Sequence, residues 1–139
     1  MDNLQAAILN YRLKNLNFVI KQRRKNFEIY KNFLDRDKIF LPQEKKYQYN
    51  SYHTMVIQVK NRNKLKRYLE DNRIATSIHY PIPIHLQPAS KFLNYKKGSF
   101  KNTERQANEI LTLPINQFLK KSEIVFICEK INYFYKKKF

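Results

Sequence analysis

The stretch IATSIHYPIPIHLQPA, residues 74–89, decides most about the fold. Its first part, Ile74 to His79, reads as a β-strand because branched apolar and short polar residues follow one another there. Prolines at 81, 83 and 88 lack the amide hydrogen that a strand interior requires. We therefore expect a short strand that stops at the first proline and runs into a stiff, extended segment.

A strand and a helix are predicted upstream of this stretch. Pro42 and the polar residues up to Asn50 are typical of a loop, and the alternation from Tyr52 to Val59 then predicts a strand. Asn61 or Asn63 is a suitable N-cap for a short helix, and Asn72 stands where its C-cap belongs.

A helix, a short strand and a last helix are predicted downstream. Thr103 with Gln106 forms a capping-box pattern, which marks the start of a helix. Thr112 to Ile115 indicates a short edge strand, ended by polar residues. Ser122 is the expected cap of the last helix, whose apolar face consists of Ile124, Ile127, Cys128, Ile131 and Phe134.

Apolar residues near the N-terminus return at helical spacing and predict one long helix over residues 3–34, with Asp2 and Gln5 as a capping-box-like start. Such a helix would be on the order of 45 to 50 Å long at 1.5 Å per residue, more than a domain of this size would hide. We expect part of it to contact another domain or subunit. The predicted division is residues 1–36 as a leading helix and residues 37–139 as a small domain.

The composition fits one folded α+β domain, with a small antiparallel sheet and helices packed on it. The chain has 139 residues, of which 42% are hydrophobic and 14% aromatic, enough to form a core. No apolar run reaches the roughly 18 to 20 residues of a membrane helix, and the first residues lack a signal-peptide pattern. We expect no membrane association and a cytoplasmic location.

The net charge of +17 leaves two interpretations open. A positive field of this size attracts phosphates or nucleic acid, and the segment Tyr133 to Phe139 interleaves lysines with aromatic rings, as binders of single-stranded nucleic acid do. In the other interpretation, a codon bias that enriches lysine explains the charge, and the terminal segment is the solvated end of a helix. A small basic nucleic-acid-binding module is therefore the alternative hypothesis.

Several kinds of site are excluded or weakly supported by residue types. A chain with one glycine cannot build a P-loop or a dinucleotide fingerprint. The one cysteine, Cys128, excludes an internal disulfide and fits a packed thiol. His79 and His85 could ligate a metal or line a pocket, but no third ligand is evident.

Three segments together resemble the DegT/StrS family of pyridoxal-phosphate (PLP) dependent sugar aminotransferases. They are MDNLQAAIL at residues 1–9, IATSIHYPIPIHLQPA at residues 74–89 and TERQANEILTLPI at residues 103–115. The resemblance implies the small C-terminal domain of a fold-type I aminotransferase, with the long helix that leads into it. In the family, the larger N-terminal domain contributes the Schiff-base lysine, the aspartate at the pyridine nitrogen and the ring-stacking aromatic residue. Met1 accordingly resembles a methionine that is internal in the family.

The implied chemistry is transfer of an amino group, usually from glutamate, to a keto sugar on a nucleotide carrier, for amino-sugar or surface-polysaccharide biosynthesis. By the resemblance, His79, Tyr80, Pro81 and His85 would contact the sugar nucleotide or the neighbouring subunit. PLP would serve the intact enzyme, and we expect this chain alone to bind none and to be inactive. The expected partner is a second copy in a homodimer or a complementing N-terminal chain.

Overall fold

The computed structural model describes residues 1–137, which contain five α-helices and three short strands. The helices are α1 (Asn3–Leu13), α2 (Leu16–Phe33), α3 (Arg62–Asp71), α4 (Lys101–Glu109) and α5 (Lys121–Lys136). The strands are β1 (Ile39–Phe40), β2 (Met55–Val59) and β3 (Ile110–Leu113). Two 3₁₀ segments, Ile84–Leu86 and Pro88–Leu93, lie between α3 and α4. The predicted α+β class with a small antiparallel sheet is confirmed.

The sheet has the order β1-β2-β3, with both pairings antiparallel. In the central strand Met55, Ile57 and Val59 are buried, whereas Val56 and Gln58 between them are half-buried. Alternation along a strand sends neighbours to opposite faces. One face of the sheet therefore belongs to the core, and the other is open enough to form part of a site.

The core lies between the inner face of the sheet and helices α2, α3 and α5. Helix α5 packs along α2 and also against α3, and its predicted apolar face is buried as expected. Tyr30 of α2 is fully buried, and its hydroxyl donates a hydrogen bond of 2.8 Å to the carbonyl of Pro114. Each fully buried aliphatic side chain contributes roughly 1.5 to 3 kcal/mol through removal from water.

The predicted single helix over residues 3–34 is wrong in one respect, because it is divided at Lys14 and Asn15. The amide of Asn15 bonds to the carbonyl of Arg12 at 3.0 Å, which is the tighter 3₁₀ pattern. Asn15 leaves the helical backbone region, with φ −105° and ψ 4°, and a break confined to two residues does not disturb the periodicity of the apolar residues. The predicted start is confirmed, since Asp2 accepts a hydrogen bond from the amide of Gln5 at 2.8 Å.

The predicted strand at Ile74 to His79 does not form as a strand. This segment makes one isolated bridge, in which Ser77 and Thr112 exchange backbone hydrogen bonds of 3.1 and 2.7 Å. The prolines that follow leave no room to extend the pairing. The proline-rich segment itself is less extended than predicted, because 3₁₀ turns form at Ile84–Leu86 and Pro88–Leu93.

Other element ends differ by a few residues from the predicted ones. Helix α4 begins at Lys101, two residues before the expected cap Thr103, and β3 begins at Ile110 directly after it. Helix α5 begins at Lys121, where Glu123 accepts the amide hydrogen of Lys120 at 2.7 Å. Of the two predicted N-cap residues of α3, Asn61 occupies the position, without a side-chain capping hydrogen bond, and Asn72 is the C-cap as predicted. Strand β1 has two residues, too few to show alternation in a sequence.

None of the helices within residues 1–137 is long and apolar enough to cross a membrane.

Candidate functional site

A cavity of about 360 Å³ lies on the outer face of the sheet. One wall is the proline-rich segment after the Ser77 bridge, the opposite wall is α4, and the floor is formed by β2 and the start of β3. Its lining is mainly apolar, with a few polar groups, as is usual for small-molecule sites. The lining residues are Phe40, Pro42, Val56, Ile57, Gln58, His79, Tyr80, Ile82, Pro83, Ile84, Thr103, Gln106, Ala107 and Ile110.

His79 reaches the cavity directly after the bridge to β3. Its Nδ1 lies 3.0 Å from Oγ1 of Thr112, a residue that is itself 8% exposed. The backbone bridge between Ser77 and Thr112 holds this segment beside β3 and so supports the contact between the side chains of His79 and Thr112. An anchored Nδ1 fixes the ring orientation and leaves Nε2 for a ligand.

Tyr80 and Pro81 form the exposed end of the proline-rich wall. Tyr80 is 72% exposed and lines the cavity, whereas Pro81 is exposed without lining it. The ring of Tyr80 stands edge-on to His79, with centroids 5.4 Å apart. Of the four residues predicted to bind substrate, His79 and Tyr80 are the two at the cavity.

His85 is placed differently, because it is buried and does not line the cavity. Its Nε2 lies 3.0 Å from Oε1 of Glu104, and its ring meets the edge of Phe100 with centroids 4.8 Å apart. A buried histidine with these partners supports the wall from behind. Its predicted substrate contact stays a prediction.

Glu104, the partner of His85, is not among the residues predicted from the sequence, and it does not line the cavity. Its carboxylate accepts hydrogen bonds from His85 and from the amides of Gly98 and Phe100. Burial alone raises the pKa of Glu104, but these hydrogen bonds outweigh it, so the pKa lies below the ordinary 4.5. The available signal was an acidic residue in the first turn of a predicted helix, which is common in helices without any function.

No group of three or more histidine, cysteine or acidic side chains in residues 1–137 is arranged to hold a metal ion. Cys128 is buried in the core, where burial raises the pKa of its thiol to about 12. His53, the third histidine, is exposed near Arg23. These groups lie outside the cavity lining.

Residues 1–132 match the model of the DegT/DnrJ/EryC1/StrS aminotransferase family. The chain belongs to this family. The match covers nearly the whole chain, including the proline-rich wall, α4 and most of α5. The resemblance carried by the three sequence segments is thereby confirmed.

Individual family members agree over the same range. The chain is 35% identical to the pleiotropic regulatory protein of Geobacillus stearothermophilus, covering 98% of this chain and 37% of that protein. It is 33% identical to the dTDP-3-amino-3,6-dideoxy-alpha-D-galactopyranose transaminase of Aneurinibacillus thermoaerophilus, covering 95% of this chain and 36% of that enzyme. The chain thus spans little more than a third of the length of these relatives.

Almost the entire chain also superposes on a solved structure. The crystal structure of S. venezuelae DesV in complex with a ketimine intermediate matches 99% of this chain and 37% of DesV, with a TM-score of 0.93 and 27% identity. Similarity at this level covers the sheet, the helices and the cavity segment together.

The residues of this chain do not by themselves fit the PLP that the family implies. PLP enzymes bind the cofactor through a lysine in the site. Within residues 1–137 the lysines are exposed, apart from the half-buried Lys66 and Lys130, and the cavity lining contains none. The cavity of this chain therefore offers no lysine to which PLP could be bound.

The nucleic-acid alternative finds no support in the described part of the terminal segment. Phe134 is only 5% exposed, and the hydroxyl of Tyr135 donates to the carbonyl of Lys60 at 2.6 Å. Tyr133 is 46% exposed, with Nζ of Lys137 4.8 Å from its ring centroid, so the described part of the segment offers at most one ring for a stacked base. Lys138 and Phe139, which completed that pattern, lie outside the described residues.

Proposed function

We propose that this chain forms the C-terminal small domain of a PLP-dependent aminotransferase that acts on nucleotide-linked keto sugars. The observation that carries the proposal is the superposition on the ketimine complex of DesV over 99% of the chain. The transaminase of A. thermoaerophilus, named for a dTDP-linked amino sugar, supports the same substrate class. The proposed setting is amino-sugar or polysaccharide biosynthesis in the cytoplasm.

In this proposal the cavity segment faces the sugar nucleotide. His79, fixed through Thr112, offers Nε2 as a donor or acceptor to the ligand. Tyr80 offers an exposed ring and hydroxyl at the rim. Pro81 restricts the backbone between them and the cavity wall, since its ring fixes φ. The net charge of +17 favours approach of a diphosphate.

The Schiff-base lysine is proposed to come from a large domain that this chain does not contain. When bound there, PLP supplies an electron sink for the transfer of the amino group, with glutamate as the expected donor. Residues 1–36 would lead in from that domain and residues 37–139 would form the small domain. The large domain would belong to the same polypeptide or to a complementing chain, in a homodimeric assembly.

A chimera tests the proposal directly. The A. thermoaerophilus transaminase would have the segment matched by this chain replaced with the present sequence, and transamination of its own sugar nucleotide would be measured. We expect activity in the chimera, and none in the chain alone. His79→Ala should lower kcat/KM by about tenfold or more, because a ligand hydrogen bond is lost.

The matched control is His53→Ala, since His53 is exposed outside the cavity lining. The chain alone should also give no stoichiometric borohydride-stable PLP adduct on a single lysine, judged by peptide mass spectrometry. A folded chimera without transaminase activity would contradict the proposed function. A unique PLP-modified lysine in the isolated chain would contradict the proposed source of the lysine.

A further inference from the structure

The Glu104 carboxylate, on α4, contacts His85 of the proline-rich segment. Its Oε1 is 3.0 Å from Nε2 of His85, and the amide of Gly98 donates to its two oxygens at 2.8 and 3.0 Å. The amide of Phe100 donates to Oε1 at 3.4 Å. The side chains of His85 and Glu104 are 7% and 15% exposed. One nearly enclosed carboxylate therefore gathers donors from three places along the chain.

These contacts connect the two segments whose neighbouring residues line opposite sides of the cavity. His85 directly follows Ile82, Pro83 and Ile84, which belong to the proline-rich wall. Glu104 directly follows Thr103 in α4, and Gln106 and Ala107 of the same helix line the other wall. The distance between the walls is thus set in part by the contact between His85 and Glu104.

Glutamine, a neutral side chain of the same size, changes this contact. A carboxylate offers two acceptor oxygens, whereas the amide of glutamine offers one oxygen and an NH₂ group. All three donors contact Oε1, so the glutamine oxygen can accept there, but the charge that strengthens these hydrogen bonds is lost and the NH₂ group faces the amide of Gly98, which lies 3.0 Å from Oε2. Removing one partner of an enclosed pair is more disruptive than losing an exposed pair, because the remaining group is left desolvated.

We propose that Glu104 is a positioning residue for the ligand of this cavity. Acting through His85, it holds the wall formed by residues 82–84, and with it His79 and Tyr80 at the rim. The identity of the ligand rests on the proposed function, but the structural link between Glu104 and the wall does not. Glu104 itself does not line the cavity.

The chain offers a sharp spectroscopic test because Gly98 is its only glycine. Labelling with [¹⁵N]glycine gives one backbone amide signal, which reports the bond to Glu104. In Glu104→Gln we expect the Gly98 amide to exchange about tenfold faster or more, since a charge-assisted hydrogen bond is lost. The matched control Glu129→Gln makes the same change at an exposed position of α5 and should leave this signal unmoved.

The wall itself is followed through the side-chain methyl signals of Ile82 and Ile84. Both should shift in Glu104→Gln, whereas the signal of the fully buried Ile131 in the core should stay in place. A changed Gly98 signal with unchanged Ile82 and Ile84 would mean that Glu104 caps a turn and positions nothing. That result would overturn the proposal.

Acidification of the unmutated chain covers the case in which the variant does not fold. As Glu104 becomes protonated, the signals of Gly98, Ile82 and Ile84 should move together with one midpoint. Separate midpoints for Gly98 and for the two isoleucines would contradict the proposal that Glu104 holds the wall.

The chimeric transaminase supplies the functional readout. We expect Glu104→Gln to raise KM for the sugar nucleotide by about tenfold with a smaller change in kcat, because ligand placement is affected more than the reacting groups. An active chimera with unchanged KM would overturn the positioning role. An inactive unmutated chimera would count against the proposed function, while the labelled-glycine test would still decide the role of Glu104 in the wall.

Discussion

Arg24 holds the loop that follows β1 through a set of contacts made by one guanidinium group. It donates to both carboxylate oxygens of Glu44 at 2.8 Å each and to the carbonyl of Asn50 at 2.7 Å. The ring of Tyr49 lies 4.2 Å from the guanidinium carbon. Glu44 in turn accepts the amide hydrogen of Asn50. The planar fork of arginine suits this arrangement, and a lysine would not reproduce it.

The contact between Arg24 and Glu44 makes a pH-dependent contribution to stability. The hydrogen bond from Arg24 lowers the pKa of Glu44 from 4.5 to about 2. The ionised carboxylate is therefore favoured in the folded chain, and its contribution is fully present above pH 4.5 and lost as the pH falls towards about 2. Glu44→Gln should lower the free energy of unfolding at neutral pH and remove this part of its pH dependence.

Urea unfolding of both proteins across this pH range measures the effect. Glu28→Gln is the control, since it makes the same charge change in an exposed pair with Lys31. The prediction is wrong if the stability difference between the unmutated chain and Glu44→Gln is the same at neutral and acidic pH.

At the scale of elements, α1 and α5 differ in how far they are buried. None of the 11 residues of α1 is buried, whereas five of the 16 residues of α5 are. An isolated helix shorter than about 12 to 15 residues is marginal in water, because propagation barely offsets nucleation. Tertiary packing therefore stabilises α5, whereas the contacts of α1 are local: its cap at Asp2, its own backbone bonds and Lys14 over the ring of Tyr11.

Hydrogen exchange should separate the two helices. We expect the amides of α1 to exchange close to the rate of an unfolded peptide and those of α5 to be the most protected in the chain. Mass spectrometry of peptides from each helix, measured at two protein concentrations, is sufficient. Strong protection of α1 that persists on dilution would show that the helix is stabilised by contacts within one chain, contrary to the structure.

At the scale of the whole molecule, apolar side chains are concentrated on the outside of α1 and the start of α2. Monomeric proteins rarely expose large contiguous apolar patches unless a partner covers them. In the proposed function the covering partner is the large domain or a second subunit. The exposed residues are Leu4, Ile8, Leu9, Tyr11, Leu13, Leu16 and Phe18.

The purified chain should accordingly bind a hydrophobic dye and self-associate as its concentration rises. The double variant Leu4→Lys and Ile8→Lys should reduce both, because it places charges on this surface. Phe118→Ser, which removes a single exposed ring elsewhere, is the control. Dye fluorescence and sedimentation velocity provide the measurements, and a monomer that binds no dye would refute the prediction.

Some residues at the cavity could be predicted from the sequence, and others could not. The proline-rich segment was recognisable because proline and histidine at that spacing are restrictive, and His79 and Tyr80 do line the cavity. The contact made by His85 could not be predicted from the sequence, because its partner Glu104 is 19 residues away along the chain. A hydrogen bond between distant residues leaves no local pattern.

The α+β class, the family and the approximate position of most helices could be predicted from local patterns, because periodicity, caps and prolines act over a few residues. Three features could not be predicted in this way: residues 74–79 contribute one bridge, the first helix divides at Asn15, and Glu104 joins the segments of both cavity walls. Those features depend on which surfaces meet after the chain folds. Burial and hydrogen bonding between distant segments set them, and neither is encoded in the spacing of neighbouring residues.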